Sequence, residues 1–189
     1  MKNAKNLKRC AWVTDDPGYK EYHDKEWGNP VHDDRILFEF LVLEGAQAGL
    51  SWITILKKRE NFRKAFDHFD VNKVAAYKEK KVQSLLKDEG IIRNELKIRS
   101  AVKNAQEILN IQKEYGSFDR YIWGFVNHKT IYNSWKTTKE APNTSPEYDR
   151  KIQTIFGTDC ALNDFSVVKT DTGFQRGKIG KGPFLIERK

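Results

Sequence analysis

The 189-residue chain has two cysteines, Cys10 and Cys160, and a single methionine. Two thiols are too few for a disulfide scaffold, and in a reducing compartment they serve as thiols or metal ligands. No apolar run approaches the roughly 20 residues that span a bilayer, so no membrane partner is expected. The opening "MKNAKNLKRCAWV" carries basic residues with no apolar stretch behind them, which does not read as a signal peptide and makes the expected location cytoplasmic. There is no internal repeat, no low-complexity segment and no dinucleotide-binding glycine pattern.

What is present is the composition of a folded protein: 39% hydrophobic residues, with 5 Trp, 7 Tyr and 11 Phe spread along the chain. The length suits one substantial core, and a single unit acting as a monomer is expected. The net charge of +8 is unevenly placed. Residues 1–56 hold 7 basic and 9 acidic side chains, residues 57–103 hold 14 and 7, and residues 104–189 hold 13 and 10. A basic middle segment suits a polyanion such as DNA or RNA, although a solvated helix surface with surplus Lys reads the same way.

The apolar periodicity is helical nearly throughout. "DDRILFEFLVLEGAQ" starts on an Asp cap, and "SWITILKKRENFRKAF" starts with Ser51 at an N-cap position after the small residues of "GAQAGL". "DVNKVAAYKEKKVQSLLKD" holds one or two short helices, "NELKIRSAVKNAQEILNIQKEYG" is a long helix stopped by Gly116, and "FDRYIWGFVN" is another. Between two of these, "KDEGIIRNELK" reads as a helix-hairpin-helix connection with Gly90 at the turn. Such a hairpin offers backbone amides to DNA phosphates, with Arg93, Lys97 and Arg99 placed to help; an ordinary helix connection is the alternative.

Glu44 breaks the pattern. Leu37, Phe40 and Leu41 precede it at spacings of seven, four and three, so the apolar stripe runs into a carboxylate. A buried carboxylate needs donors, a cation or a proton. It is therefore either an ion pair inside the fold or a pocket acid that recognises a ligand. Upstream, Cys10, Trp12, Tyr19, Tyr22, His23 and Trp27 crowd into eighteen residues. Rings at that density make either a core or a stacking surface for a planar ligand.

The stretches "CAWVTDDPGYKEYHDKEWGNP", "LFEFLVLEGAQAGLSWITILKKRENFRKAF", "GIIRNELKIRSAVKNA" and "YIWGFVNH" resemble the 3-methyladenine DNA glycosylase I family of the helix-hairpin-helix DNA glycosylase superfamily. The likeness runs from about Cys10 to about Trp135. It implies a mainly α, helix-hairpin-helix glycosylase-like domain over residues 1–150; beyond about residue 150 the sequence departs from the family, and residues 151–189 read as a divergent, irregular and partly disordered segment. The resemblance also implies a repair N-glycosylase that flips 3-methyladenine out of double-stranded alkylated DNA, hydrolyses the glycosidic bond and releases the free base. By the same resemblance Glu44 is the base-recognising and catalytic carboxylate, and Trp12, Tyr19, Tyr22 and Trp52 line its pocket. The Asp that other superfamily members use near the deoxyribose is absent from this family, so no general base is assigned.

Family members hold a structural zinc whose first two ligands match Cys10 and His23. The terminal pair has no counterpart here. Residues 151–189 contain no His and replace the family's usual ending, and nothing about the spacing of Cys160 recommends it as a third ligand. No cofactor is expected to be required for the chemistry, and only half a zinc site is expected. The same divergence leaves a second functional reading: a glycosylase-like protein that binds alkylated DNA with little or no catalysis.

Overall fold

The computed structural model describes residues 9–10 and 12–130. The segment 151–189, Cys160 and the last twenty residues of the 1–150 domain lie outside the described residues. Within them the chain forms seven α-helices and one short 3-10 turn, with no strand among the described residues. The helices are α1 (Pro17–Lys25), α2 (Asp34–Gln47), α3 (Trp52–Ala65), α4 (Val71–Ala75), α5 (Glu79–Leu85), α6 (Glu95–Tyr115) and α7 (Phe118–Gly124).

The starts and stops follow from local chemistry. Asp33 accepts from the Ile36 amide at 2.9 Å and caps α2, as the sequence leads one to expect. Asn94 caps α6 through the Lys97 amide at 3.0 Å, and Gly116, at φ +89°, ends it. The stretch 71–85 resolves into two short helices rather than one. Ser51 does occupy the N-cap position of α3, but its hydroxyl bonds the Thr54 hydroxyl at 2.6 Å instead of a backbone amide. α1 is an addition to the sequence reading; its signal is Asp16–Pro17, an Asx cap accepting from the Tyr19 amide at 3.0 Å followed by a proline in the first turn.

α2 is the central helix, packed against α3, α6 and α7. Ten of its fourteen residues are buried, among them both Glu39 and Glu44. A helix buried on nearly every face does not show one clean apolar stripe, which is why Leu41 is only half-buried while Leu43, off the stripe, is fully enclosed. Asp34, in its first turn, reaches across to α7 and accepts from the Phe118 and Asp119 amides at 2.9 and 2.7 Å, capping a second helix from outside.

Glu39 is the carboxylate that the arginines of α3 hold. Its Oε1 accepts from Arg59 Nε at 2.5 Å and from Arg63 Nε at 2.9 Å, while Arg59 Nη1 also donates to Glu26 just past α1, at 2.7 and 2.9 Å. The ion pair that the sequence pattern allowed for inside α2 is found one and a half turns before Glu44. Replacing Arg59 with Leu strips a buried carboxylate of a partner and cuts the link to α1. We expect a loss of about 3–5 kcal/mol in urea unfolding, the range for breaking a buried pair from one side; a loss under about 1 kcal/mol would show that Arg63 alone satisfies Glu39.

Candidate functional site

The C-terminal end of α2, the start of α3 and the inner face of α1 converge on three side chains. Tyr22 and Trp52 are each 2% exposed, with ring centroids 5.4 Å apart and planes tilted by 57°. Glu44 is buried near enough to Tyr22 for its charge to matter. The Tyr22 phenol is pushed well above its ordinary range, first by burial and then by the negative charge of Glu44. Tyr22 therefore stays a neutral hydroxyl at physiological pH.

The remaining aromatic candidates form a layer beside this trio. Trp12 meets Tyr19 at 5.0 Å, His23 at 5.2 Å and Trp27 at 5.5 Å, and His23 stacks on Trp27 at 5.5 Å. Trp12 and Tyr19 are half-buried, Tyr22 and Trp52 fully so. The arrangement supplies ring faces, a hydroxyl and a carboxylate at one place, which is the equipment for holding a flat, electron-poor heterocycle.

Glu44 and Trp52 are joined by a tight turn. The Leu50 amide donates to Gln47 O at 2.6 Å, and Gly49 takes φ +78°, a conformation that a side chain would strain. Lys97 on α6 clamps this turn: its ammonium donates to Ala46 O at 2.9 Å and to Ala48 O at 2.6 Å. Burial lowers the Lys97 pKa, as it must for a half-enclosed ammonium.

The other hairpin candidates are placed differently. Arg93 and Arg99 are exposed and pair with Glu89 at 3.3 Å and with Glu79 and Glu95 at 2.9 and 2.7 Å. Exposed pairs of this kind contribute little to stability. Gly90 has no left-handed φ. It does sit in the turn before α6, where its amide donates to Asp88 Oδ1 at 2.7 Å; an added Cβ would lie 3.0 Å from Asn61 Cβ on α3, so close packing rather than backbone freedom is what calls for glycine here.

Cys10 and His23 are brought together. The Cys10 amide donates to His23 Nε2 at 3.3 Å, so that nitrogen is an acceptor and the ring proton sits on Nδ1, 2.8 Å from Asp24 Oδ1. A histidine oriented by a carboxylate in this way suits metal ligation. Four ligands are needed, however, and among the described residues no group of three or more His, Cys, Asp or Glu side chains could hold an ion. The donor set described therefore does not fit a tetrahedral zinc.

The methyladenine glycosylase family profile matches residues 12–154. The chain is similar to DNA-3-methyladenine glycosylase 1 of Escherichia coli (strain K12), 46% identical over 143 residues that make up 76% of each chain. In three dimensions it is similar to a crystal structure of 3-methyladenine DNA glycosylase I, with TM-score 0.75 and 42% identity over 78% of this chain and 81% of that one. It is also similar to a tyrosine-to-phenylalanine variant of such an enzyme in complex with 3-methyladenine, with TM-score 0.71 and 35% identity over 75% and 76% of the two chains.

Asp24 ties the layer around His23 to the start of the described chain, accepting from Arg9 at 3.0 and 2.6 Å. The Arg9 hydrogen bonds, helped by that from His23 and opposed by burial, lower its pKa from 3.8 to about 2. A depressed carboxylate contributes stability that is complete above the unfolded value and lost as pH falls through the folded one. Thermal unfolding of Asp24→Asn should therefore trail the native protein at pH 5 and above, with the gap closing between pH 4 and pH 2. A gap independent of pH would show that the carboxylate's charge is not what holds this corner.

Proposed function

The chain belongs to the methyladenine glycosylase family, and on that premise we propose that it works on double-stranded DNA, as a cytoplasmic monomer, with Glu44, Tyr22 and Trp52 at the centre of its base site and Trp12 and Tyr19 beside them. The activity is that of a monofunctional DNA-3-methyladenine glycosylase: it excises 3-methyladenine from alkylated DNA by base flipping and hydrolysis of the N-glycosidic bond. Among the described residues no helix is long and apolar enough to cross a membrane.

The observation that supports the site is Glu44, 8% exposed near the end of the central helix, close enough to Tyr22 to act on its phenol, while Tyr22 in turn packs against Trp52. The substrate explains why so little machinery suffices. A 3-methyladenine nucleotide carries a positive charge on the base; when the C1′–N9 bond breaks, its electron pair flows into the ring and the base departs neutral. Water adds hydroxide to C1′ and releases a proton. No acid is needed on the leaving group, so the protein's task is to extract the base and hold it.

Cation–π attraction from the rings is worth about 0.5–2 kcal/mol, and Glu44 adds charge complementarity together with an acceptor for the exocyclic amino group. Arg93 and Arg99, exposed on the hairpin, are the cations that would trade carboxylates for phosphates, and affinity for DNA should fall with salt.

Glu44→Gln keeps size and removes charge. Losing one charge-assisted hydrogen bond of about 1.5–3 kcal/mol corresponds to a fall of about ten- to a hundredfold in excision from methylated DNA, with little change in urea stability. If excision is undiminished, or if the variant unfolds while what remains folded binds the free base normally, Glu44 is a structural residue.

Zinc is not required for this chemistry, because the leaving group is already activated. With only Cys10 and His23 in place among the described residues, the N-terminal layer is held by its own rings and by Asp24. Elemental analysis of the purified protein should find well under one zinc per chain, and a chelator should leave the unfolding transition where it was. One tightly bound zinc per chain would overturn this and place further ligands outside the described residues.

A further inference from the structure

Gln47 is 1% exposed, and neither the oxygen nor the nitrogen of its side-chain amide has a hydrogen-bond partner among the described residues. A buried amide in that state is costly, and an apolar side chain of similar shape would serve the core better. Local geometry does not explain it, since the Gln47 backbone carbonyl is already engaged by the Leu50 amide and the neighbouring carbonyls of Ala46 and Ala48 by Lys97. Gln47 lies three residues beyond Glu44, one turn along the same face of α2.

The two side chains are chemically complementary. A carboxylate only accepts, so Glu44 answers one N–H of an adenine amino group and offers nothing to a ring nitrogen. The second amino N–H and the adjacent N7 form an edge that a glutamine amide fits in two bonds, its carbonyl accepting and its NH2 donating.

Resting on the base-site reading above, we infer that Gln47 is a specificity-determining residue whose amide completes its hydrogen bonds on the N6–N7 edge of the extruded 3-methyladenine. On this reading the base supplies the partner that each of the two amide atoms lacks among the described residues.

The test is Gln47→Met, which keeps length and removes both polar atoms. Affinity for free 3-methyladenine, read by tryptophan fluorescence, should fall about tenfold or more, while the melting temperature holds or rises because a partnerless amide has been removed. The 7-deaza analogue of 3-methyladenine supplies a second reading. Losing N7 should weaken binding to the native protein and make no further difference to the variant. Native affinity in Gln47→Met, or a variant that still distinguishes the two bases as the native protein does, overturns the inference and leaves the base site standing. A native protein that binds neither base overturns the site reading along with it.

Discussion

The guanidinium of Arg59 is the interaction on which the geometry of the site depends. From α3 it reaches Glu39 on α2 and Glu26 at the end of α1, and it lies over the Phe40 ring at 5.2 Å. Those three helices carry Trp52, Glu44 and Tyr22. A planar cation with several fixed donors can serve two carboxylates at once, which an ammonium on a flexible stem does less well. The cost of burying its charge is offset by saturating it. α2 thus bears two buried carboxylates: Glu39, which takes the arginines of α3, and Glu44, close enough to Tyr22 to act on its phenol.

A second cation does comparable work at the other end of α2. Lys97 belongs to the first turn of α6, immediately after the hairpin, yet its ammonium is spent on Ala46 O and Ala48 O. The sequence places Lys97 with Arg93 and Arg99 as one basic set, and the fold divides them. The two arginines hold exchangeable surface pairs, whereas Lys97 fastens the hairpin to the turn between Glu44 and Trp52. The start of α6 and that turn are thus coupled through one side chain and two carbonyls.

Much of this was readable before the fold was known, and the unreadable part has a common cause. Local signals were reliable: the Asp33 and Ser51 positions, the Gly116 stop and the polar interruption at Glu44 all follow from interactions within a few residues. The partners of the long-range charges were not readable. Nothing near Glu39 in sequence marks it as the acceptor for Arg59 and Arg63, twenty and twenty-four residues away, because the pairing is made by two helices packing together. Gly90 illustrates the same limit. A glycine between two helices suggests a turn, but its requirement arises from Asn61 on another helix. Gln47 was hidden for the opposite reason: a glutamine at a helix end is ordinary, and only three-dimensional enclosure makes its amide conspicuous.

The contrast between these polar groups separates scaffold from site. Asp34 caps a neighbouring helix, Glu39 takes two arginines, Asp24 takes Arg9 and orients His23, and Asp67 takes the Tyr77 hydroxyl at 2.5 Å. Each is a buried or half-buried acceptor completed by the protein itself, as a stable interior demands. Gln47 departs from this rule at the end of the same helix that carries Glu44, next to a turn pinned from outside by Lys97. The backbone around that amide is tied from outside, the carbonyls of Ala46 and Ala48 by Lys97 and that of Gln47 by the Leu50 amide. The unsatisfied amide and the rigid turn belong together: holding a polar group ready for a partner that is not yet present requires a frame that cannot relax to satisfy it from within.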